Sequence, residues 1–243
     1  THTNFYVLGV SGGERIIVDP AAKSKDALDI LRNKVREIES TGSKIVATIF
    51  THKHPDHIGD LENISEIYQA PIWTSKETLE IIPKCETDKI LKEGDIFELN
   101  YEDESVYWKI METHGHCPGH ICLAGDAGIV SGDNVTVIGT ILVPSTDGDM
   151  NKYLEGLQRM KELNPPLLFP GHGPFSANPE KLLNRYIKHR SKRHQAVYDA
   201  LKSNYINLEL IAKKAYEDSP DAHPILLIDQ TLSHLKGHIE SGK

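Results

Sequence analysis

Cysteine is scarce in this chain of 243 residues, which has only Cys85, Cys117 and Cys122. Three cysteines cannot all pair, and a chain of this length buries enough surface to fold without disulfides, so the composition favours a reducing, cytoplasmic setting. Apolar runs are short, as in IVATIF at 45–50, whereas a membrane-spanning helix needs roughly 18 or more apolar residues. We therefore expect no association with a membrane.

Basic charge is in deficit, since 27 Lys and Arg oppose 35 Asp and Glu for a net charge of −8. This argues against a surface that binds nucleic acid over its whole area, but it is compatible with a local basic patch. Aromatic residues make up 7% of the chain, so stacking platforms for single-stranded RNA are not evident. The hydrophobic fraction of 39% and the charged fraction of 26% exclude a disordered or fibrous protein.

Hairpin patterns and strand–helix units alternate along residues 1–178. The turn residues Ser11–Gly13 separate two apolar segments and predict a β-hairpin, while IVATIF predicts a strand buried on both faces. This mixture predicts an α+β fold. Residues 179–243 carry three helical patterns, at about 180–203, 207–217 and 224–240, which we interpret as a small C-terminal helical domain.

Histidine is the residue in excess, with 13 in the chain. Four candidate metal ligands directly follow the strand predicted from IVATIF: His52, His54, Asp56 and His57. Residues i and i+2 of an extended chain point the same way, so His52 and His54 can bind one ion. Pro55 turns the chain, so that Asp56 and His57 can reach a second position. Imidazole and carboxylate ligands suit zinc best, with manganese or iron as alternatives.

The segment His52–His57 resembles the HxHxDH signature of the metallo-β-lactamase superfamily, and later motifs of that family follow in the same order. They are THGHCPGH at 113–120, SGDN at 131–134 and PGHG at 170–173. The resemblance implies a four-layer αββα sandwich that binds two divalent metal ions. It implies one metal site of His52, His54 and His116, a second of Asp56, His57 and His172, and a shared ligand, Asp133.

Two ions held in this way would supply hydroxide near neutral pH, because metal binding lowers the pKa of water. Asp56 and Asp133 are the expected catalytic residues, since Asp56 would orient the hydroxide and Asp133 would touch both ions. His120 is interpreted either as a residue that orients a ligand or as a polar residue at the start of a strand. Cys117 directly follows His116 and is interpreted as a small residue that fills the loop.

Residues 185–193, RYIKHRSKR, resemble a stretch of the lactamase-β-like hydrolases, the branch that contains the mitochondrial single-strand endoribonuclease. This resemblance implies a phosphodiesterase on single-stranded RNA and a winged-helix-like tail, whose wing would begin at Gly237–Lys243. Six Lys and Arg and no acidic residue lie between Lys181 and Arg193, so we predict that Arg190 and Arg193 contact RNA phosphates. The alternative is a solvated basic face on a helix that packs on the core.

Three functions are therefore compatible with the sequence. The first is hydrolysis of single-stranded RNA, and the second is hydrolysis of a small ester, thioester or lactone, whose acyl carbonyl the metal ions would polarise. The third is nucleic-acid binding without catalysis, with structural metal ions; the presence of both Asp133 and His172 argues against it. Since one hydroxide can attack either phosphorus or an acyl carbon, the sequence does not separate the first two.

Overall fold

The computed structural model describes residues 2–203, 205 and 207–242. Thr1 and Lys243, the outer bounds of the two predicted domains, lie outside these described residues. One sheet contains five strands in chain order: β1 (Tyr6–Leu8), β2 (Glu14–Val18), β3 (Lys44–Ile49), β4 (Ile72–Thr74) and β5 (Lys89–Ile90). The other contains, in spatial order, β10 (Leu168–Pro170), β9 (Gly128–Gly132), β8 (Ile121–Gly125), β7 (Glu104–Glu112) and β6 (Ile96–Tyr101).

The pairing of the strands agrees with the local turn signals. β1 and β2 form the antiparallel hairpin predicted around Ser11–Gly13, and β2 to β5 continue as parallel neighbours. The second sheet is antiparallel from β6 to β9, with β10 added in parallel to β9. The carboxyl ends of β2 and β3 therefore lie side by side, with Val18 opposite Ile49.

Helices cover the outer face of each sheet and complete the predicted αββα sandwich. Their bounds are α1 (Lys25–Ser40), α2 (Pro55–Ile58), α3 (Leu61–Ser65), α4 (Lys76–Leu79), α5 (Met150–Glu162), α6 (Pro179–Lys202), α7 (Leu208–Ala215) and α8 (Pro224–Glu240). Leu31 of α1 and Ile64 of α3 belong to the buried cluster on the first sheet, whereas Tyr153 of α5 and Leu183 of α6 belong to the cluster on the second. A third cluster lies between the sheets and includes Ile16, Ile49, Leu99, Ile110 and Leu123.

The described residues from 179 to 242 are helical and include no strand. α6 begins at Pro179, directly after the predicted boundary at 178, and packs against α5, α7 and α8. Gly237–Glu240 form the last turn of α8, so the predicted start of a wing there is wrong. The reason is a close helix contact, because Asn151 of α5 donates to the Gly237 carbonyl at 2.9 Å. That residues 179–243 form a separate domain stays a prediction.

Arg190 and Arg193 are buried in this helical region, only 2% and 5% exposed. Arg190 donates to Gln230 of α8 at 2.8 Å and to the carbonyl of Ile141. Arg193 donates to the carbonyl of Ala215 in α7 at 2.7 Å. Buried polar groups need such partners, and the terminal nitrogens of these guanidinium groups find them inside the protein. The prediction that both contact RNA phosphates is therefore wrong, and they hold α6 to its neighbours instead.

Within the described part of the chain, no helix has both the length and the hydrophobicity required to cross a bilayer.

Candidate metal centre

The residues predicted as metal ligands lie where strands from both sheets end. His52 and His54 follow β3, and His54 is the residue before α2, whose first turn contains Asp56 and His57. His116 lies in the loop between β7 and β8, whereas Asp133 follows β9 and His172 follows β10. Pro55 occupies the first position of α2, where its fixed φ and missing N–H cost nothing. The chain turn predicted at Pro55 is therefore confirmed.

Three histidine nitrogens meet in the first cluster. The Nδ1 atom of His54 lies 3.1 Å from Nε2 of His52 and 3.0 Å from Nε2 of His116. The thiol of Cys117 also belongs to this group, whose potential ligand atoms all lie within 4.8 Å of one another. The spacing is that of nitrogens able to converge on a single ion, as the sequence predicts for His52, His54 and His116.

The second cluster contains Asp56, His57 and His172, whose potential ligand atoms likewise lie within 4.8 Å of one another. Asp133 connects the two clusters. Its Oδ1 atom lies 3.3 Å from Nε2 of His57, and its Oδ2 atom lies 3.7 Å from Nε2 of His116 and 3.4 Å from Nε2 of His172. The structure thus brings all seven predicted ligands together and places one carboxylate between the two groups.

The opposite ring nitrogens of these histidines face polar partners. Nδ1 of His116 donates to the carbonyl of Leu142 at 2.8 Å, and Nδ1 of His172 donates to the carbonyl of His2 at 3.1 Å. Nδ1 of His57 lies 2.8 Å from Oδ2 of Asp19. An N–H that donates outward leaves the other ring nitrogen available as a ligand, which is how metal-binding histidines are commonly oriented.

Two buried atoms test whether a metal ion fits here. Among the described residues, Nε2 of His57 and Oδ1 of Asp133 have no hydrogen-bond partner, although they lie 3.3 Å apart. A buried nitrogen and a buried carboxylate oxygen left unpaired are costly unless something else satisfies them. A divalent ion at this position would satisfy both atoms, so these residues are suited to bind a metal ion.

The charges of the two clusters differ in the metal-free chain. Burial holds the pKa of His52 and of His116 below the ordinary value, so both are neutral at pH 7. Burial also opposes the charged form of His57, but Asp19 and Asp133 outweigh it and raise the pKa of His57 to about 10. Hydrogen bonds to Asp133 and Asp56 raise the pKa of His172 to about 10. His57 and His172 of the second cluster thus carry protons at pH 7, whereas His52 and His116 of the first do not.

His120 is fully buried behind the site. Its Nε2 atom accepts a hydrogen bond from the backbone N–H of Asp133 at 3.1 Å, and its Nδ1 atom lies 2.9 Å from Oγ1 of Thr113. The imidazole therefore contacts the backbone of the bridging aspartate. This is the contact expected of a residue that orients a ligand, one of the two interpretations the sequence left open.

Sequence reasoning missed three residues that touch the site. Asp19 is buried and accepts hydrogen bonds from both the backbone N–H and the hydroxyl of Thr51, each at 2.7 Å, in addition to its contact with His57. Asp147 lies 3.4 Å from Nε2 of His54, and Cys117 lies within the first cluster. A signal for Asp19 was available, since it follows β2 as the histidines follow β3 and parallel strands end at one edge. Asp147 had no such signal.

Residues 1–172 match the family model of the metallo-beta-lactamase superfamily. The chain belongs to this superfamily. Its members are generally metal-dependent hydrolases that bind two metal ions, and the ligand clusters described above provide the corresponding residues in this chain.

Two relatives and one solved structure illustrate the range of this metallo-β-lactamase family. The Beta-lactamase-like protein 2 homolog of Caenorhabditis elegans is 28% identical over 248 residues, which cover 99% of this chain and 79% of that protein. An atrochrysone carboxyl ACP thioesterase of Aspergillus fumigatus is 24% identical over 203 residues, covering 83% of this chain and 60% of that protein. A metallo-beta-lactamase family protein from Thermus thermophilus shares the fold, with a TM-score of 0.74, 17% identity and coverage of 99% of this chain and 89% of that one.

The second cluster is expected to lose metal as the pH falls. His57 and His172 each have a pKa of about 10 in the metal-free chain, so each must release a proton before its Nε2 atom can bind an ion. Well below that pKa, each displaced proton costs about tenfold in affinity per pH unit, and two cost about 100-fold. The first cluster should change far less, because His52 and His116 are already neutral.

Zinc titrations against a competing chelator at pH 8 and pH 7 check this prediction. Of the two zinc ions bound per chain, the one in the second cluster should bind much more weakly at pH 7 than at pH 8. The affinity for the ion in the first cluster should stay nearly constant. Two equivalents with the same pH dependence would contradict the assignment of the protons to the second cluster.

Proposed function

We propose that this chain is a dinuclear-metal phosphodiesterase that cleaves single-stranded RNA. The observation that carries the proposal is the position of Asp133, whose carboxylate lies between the two histidine clusters and contacts His116 of the first as well as His57 and His172 of the second. A pair of ions joined in this way can stabilise both the attacking and the leaving oxygen of a phosphodiester. The resemblance of residues 185–193 to the lactamase-β-like hydrolases supports RNA as the substrate.

We further propose zinc as the resident metal, with manganese or iron as alternatives. Five imidazoles and two carboxylates are borderline-soft to hard ligands, and zinc binds both. When bound, the ions supply Lewis acidity and lower the pKa of water so that hydroxide forms at neutral pH. His52, His54 and His116 would hold the first ion, Asp56, His57 and His172 the second, and Asp133 both.

The two carboxylates differ in exposure, which suits different tasks. Asp133 is buried, but the hydrogen bond from His172 and the neighbouring His57 imidazole outweigh its burial and keep its pKa below the ordinary value. The Asp56 side chain is 59% exposed, and its hydrogen bond to His172 lowers its pKa, so it is ionised at neutral pH. An exposed, ionised carboxylate can accept a hydrogen bond from the attacking water and orient it. Asp133 instead fixes the spacing of the two clusters.

Hydrolysis of an acyl thioester is the second candidate. One relative is named as an acyl-carrier thioesterase, and the burial of Arg190 and Arg193 removes two of the cations that would hold RNA. The same metal centre would then polarise an acyl carbonyl in place of a phosphate. Substrate preference thus depends on the residues around the centre.

Cleavage assays on purified protein loaded separately with zinc, manganese or iron test the proposal. The substrates are an end-labelled single-stranded RNA, an acyl-pantetheine thioester and a lactone. We expect internal cuts in the RNA that chelation abolishes and that His116→Ala reduces strongly. Hydrolysis of the thioester or lactone with the RNA left intact would overturn the RNA proposal, and binding of RNA without hydrolysis of any substrate would overturn catalysis itself.

A further inference from the structure

Helix α6 has a cationic face that its buried arginines do not share. Between Lys181 and Arg193, Arg190 and Arg193 point into the protein, whereas the other four cationic residues are exposed: Lys181, Arg185, Lys188 and Lys192. Their spacing of four, three and four residues places them in one stripe along the helix. Lys192 is paired with Asp218 at 2.6 Å. In a chain of net charge −8, this stripe is a local region of positive potential.

A groove of about 230 Å³ lies against this stripe. It is lined by Arg185, Tyr186 and His189 of α6 and by Gly139 and Thr140 of the preceding loop. Nη2 of Arg185 donates to the carbonyls of Thr136 at 3.0 Å and Val137 at 3.1 Å, which fixes the guanidinium at this loop. Arg185 and His189 are four residues apart, so their side chains lie side by side.

Gly139 leaves the groove open on the loop side. Its φ is +81°, and a Cβ atom at this position would meet nothing within 4 Å. A glycine in the left-handed region with open space above it lets another molecule approach the backbone closely. The groove therefore combines a planar cation, an imidazole and accessible backbone.

The loop that lines the groove also touches the metal centre. Oγ1 of Thr136 donates to the carbonyl of His172 at 3.0 Å, and the carbonyl of Leu142 accepts from His116 at 2.8 Å. One segment, residues 136–142, thus separates the groove from histidines of both clusters. The groove and the metal centre are therefore joined through a single loop.

We propose that the groove at Arg185, His189 and Gly139 binds a phosphate of the RNA strand that is cleaved at the metal centre. This inference rests on the proposed function and names the part of the surface that holds the substrate. Guanidinium groups bind phosphate oxygens in a fixed fork. The cationic stripe extends well beyond a single phosphate, which favours a linear polyanion over a carrier with one phosphate group.

Gly139→Asp and Gly139→Asn form a matched pair of variants for the test. Asp and Asn have the same shape and both tolerate a left-handed backbone, so any strain at φ +81° is common to the two. Only Asp adds a negative charge to the groove, and neither alters a metal ligand or the bonds of Arg185. Both proteins should keep the wild-type metal content, melting temperature and rate on bis(p-nitrophenyl) phosphate, which has a single phosphate and none left over for the groove.

On a labelled twelve-nucleotide oligouridylate at low salt, Gly139→Asp should lower kcat/KM by about tenfold relative to Gly139→Asn, mainly through KM. The difference should shrink at high salt, because ions screen exposed charges. Arg185→Gln should in addition flatten the plot of log kcat/KM against log salt by about 0.7, the change expected for one lost contact to single-stranded phosphate.

Equal kcat/KM for the Asp and Asn variants at every salt concentration would overturn the proposal that the groove binds an RNA phosphate. If the wild-type protein still cleaves the oligouridylate in that case, the proposed function is unaffected. A wild-type protein that does not cut the RNA at all would refute the proposed function instead. In that event the pair is compared on acyl-pantetheine and acyl-phosphopantetheine. A penalty for Asp with the phosphorylated carrier alone would overturn the assignment to RNA and assign the groove to that carrier.

Discussion

Replacement of Asp133 by alanine is expected to remove both metal ions together. Its carboxylate oxygens lie 3.3 to 3.7 Å from the inward nitrogens of His57, His116 and His172, and these residues span both clusters. The loss of a residue that merely orients a ligand already costs about 10–100-fold in metal affinity, so the loss of a shared ligand should cost at least about 100-fold for each ion. Hydrolytic activity should fall with the metal content.

Elemental analysis after zinc loading and desalting checks this result. Asp126→Ala is the matched control, because Asp126 is an exposed aspartate in the turn at the other end of β9. It should retain two ions per chain, whereas Asp133→Ala should retain fewer than one. His116→Ala should empty mainly the first cluster. An Asp133→Ala protein that still holds two ions would show that the carboxylate is not shared.

Replacement of Asp19 by alanine is expected to destabilise the metal-free fold more than any change at an exposed aspartate. Asp19 is 2% exposed and accepts hydrogen bonds from the N–H and hydroxyl of Thr51 and from Nδ1 of His57. Removal of one partner from a buried ion pair leaves an uncompensated charge and costs about 3–5 kcal/mol of the free energy of unfolding. The affinity of the second metal ion should also fall, by about 10–100-fold.

The pH dependence of this loss follows from His57. Its folded pKa of about 10 lies above the ordinary value of 6.5, so its interaction with Asp19 stabilises the fold fully below about pH 6.5. That contribution disappears as the pH rises through about 10, where the folded imidazole loses its proton. Denaturant unfolding of the metal-free protein should therefore show a larger penalty for Asp19→Ala at pH 6 than at pH 10.

Asp26→Ala provides the control, since Asp26 is an exposed aspartate in the first turn of α1. Asp19→Asn separates charge from shape, because the amide can still accept a hydrogen bond from Thr51. Asp19→Asn should lower the free energy of unfolding less than Asp19→Ala does. Both variants should remove the negative charge that raises the pKa of His57. If Asp19→Ala unfolds at the same denaturant concentration as Asp26→Ala, Asp19 does not contribute to the stability of the site.

The sequence by itself determined the features that depend on short stretches of chain. The hairpin around Ser11–Gly13, the buried strand β3 and the three C-terminal helices all follow local patterns of turn residues and apolar spacing. The HxHxDH segment was equally local, since Pro55 and the alternation of an extended chain decide which ligands can share an ion. The likeness to the family then indicated which distant residues complete the set.

Only the tertiary structure determined that Arg190 and Arg193 are buried and not exposed to solvent. In the structure they lie on the same helix face as the buried Tyr186 and Val197, at spacings of four, three and four residues, although the sequence analysis assigned them to the solvent side. Arginine is seldom buried, because its guanidinium needs partners to replace water. Those partners, Gln230 and the carbonyl of Ala215, lie 40 and 22 residues away along the chain.

The same limit applies to Asp19, Asp147 and Cys117. Asp19 and Asp147 contact the metal centre from segments that the ligand motifs do not specify, because the two sheets bring their strand ends and loops together. Cys117 lies within a ligand motif, but only the structure shows its thiol beside the first cluster. The orientation of His57, His116 and His172 is fixed in the same manner, since a carboxylate or carbonyl from elsewhere in the chain contacts the outward ring nitrogen of each. A motif specifies which residue types can bind a metal ion, whereas the surrounding fold sets their orientation and charge, because hydrogen bonds and burial act between atoms that are neighbours only in space.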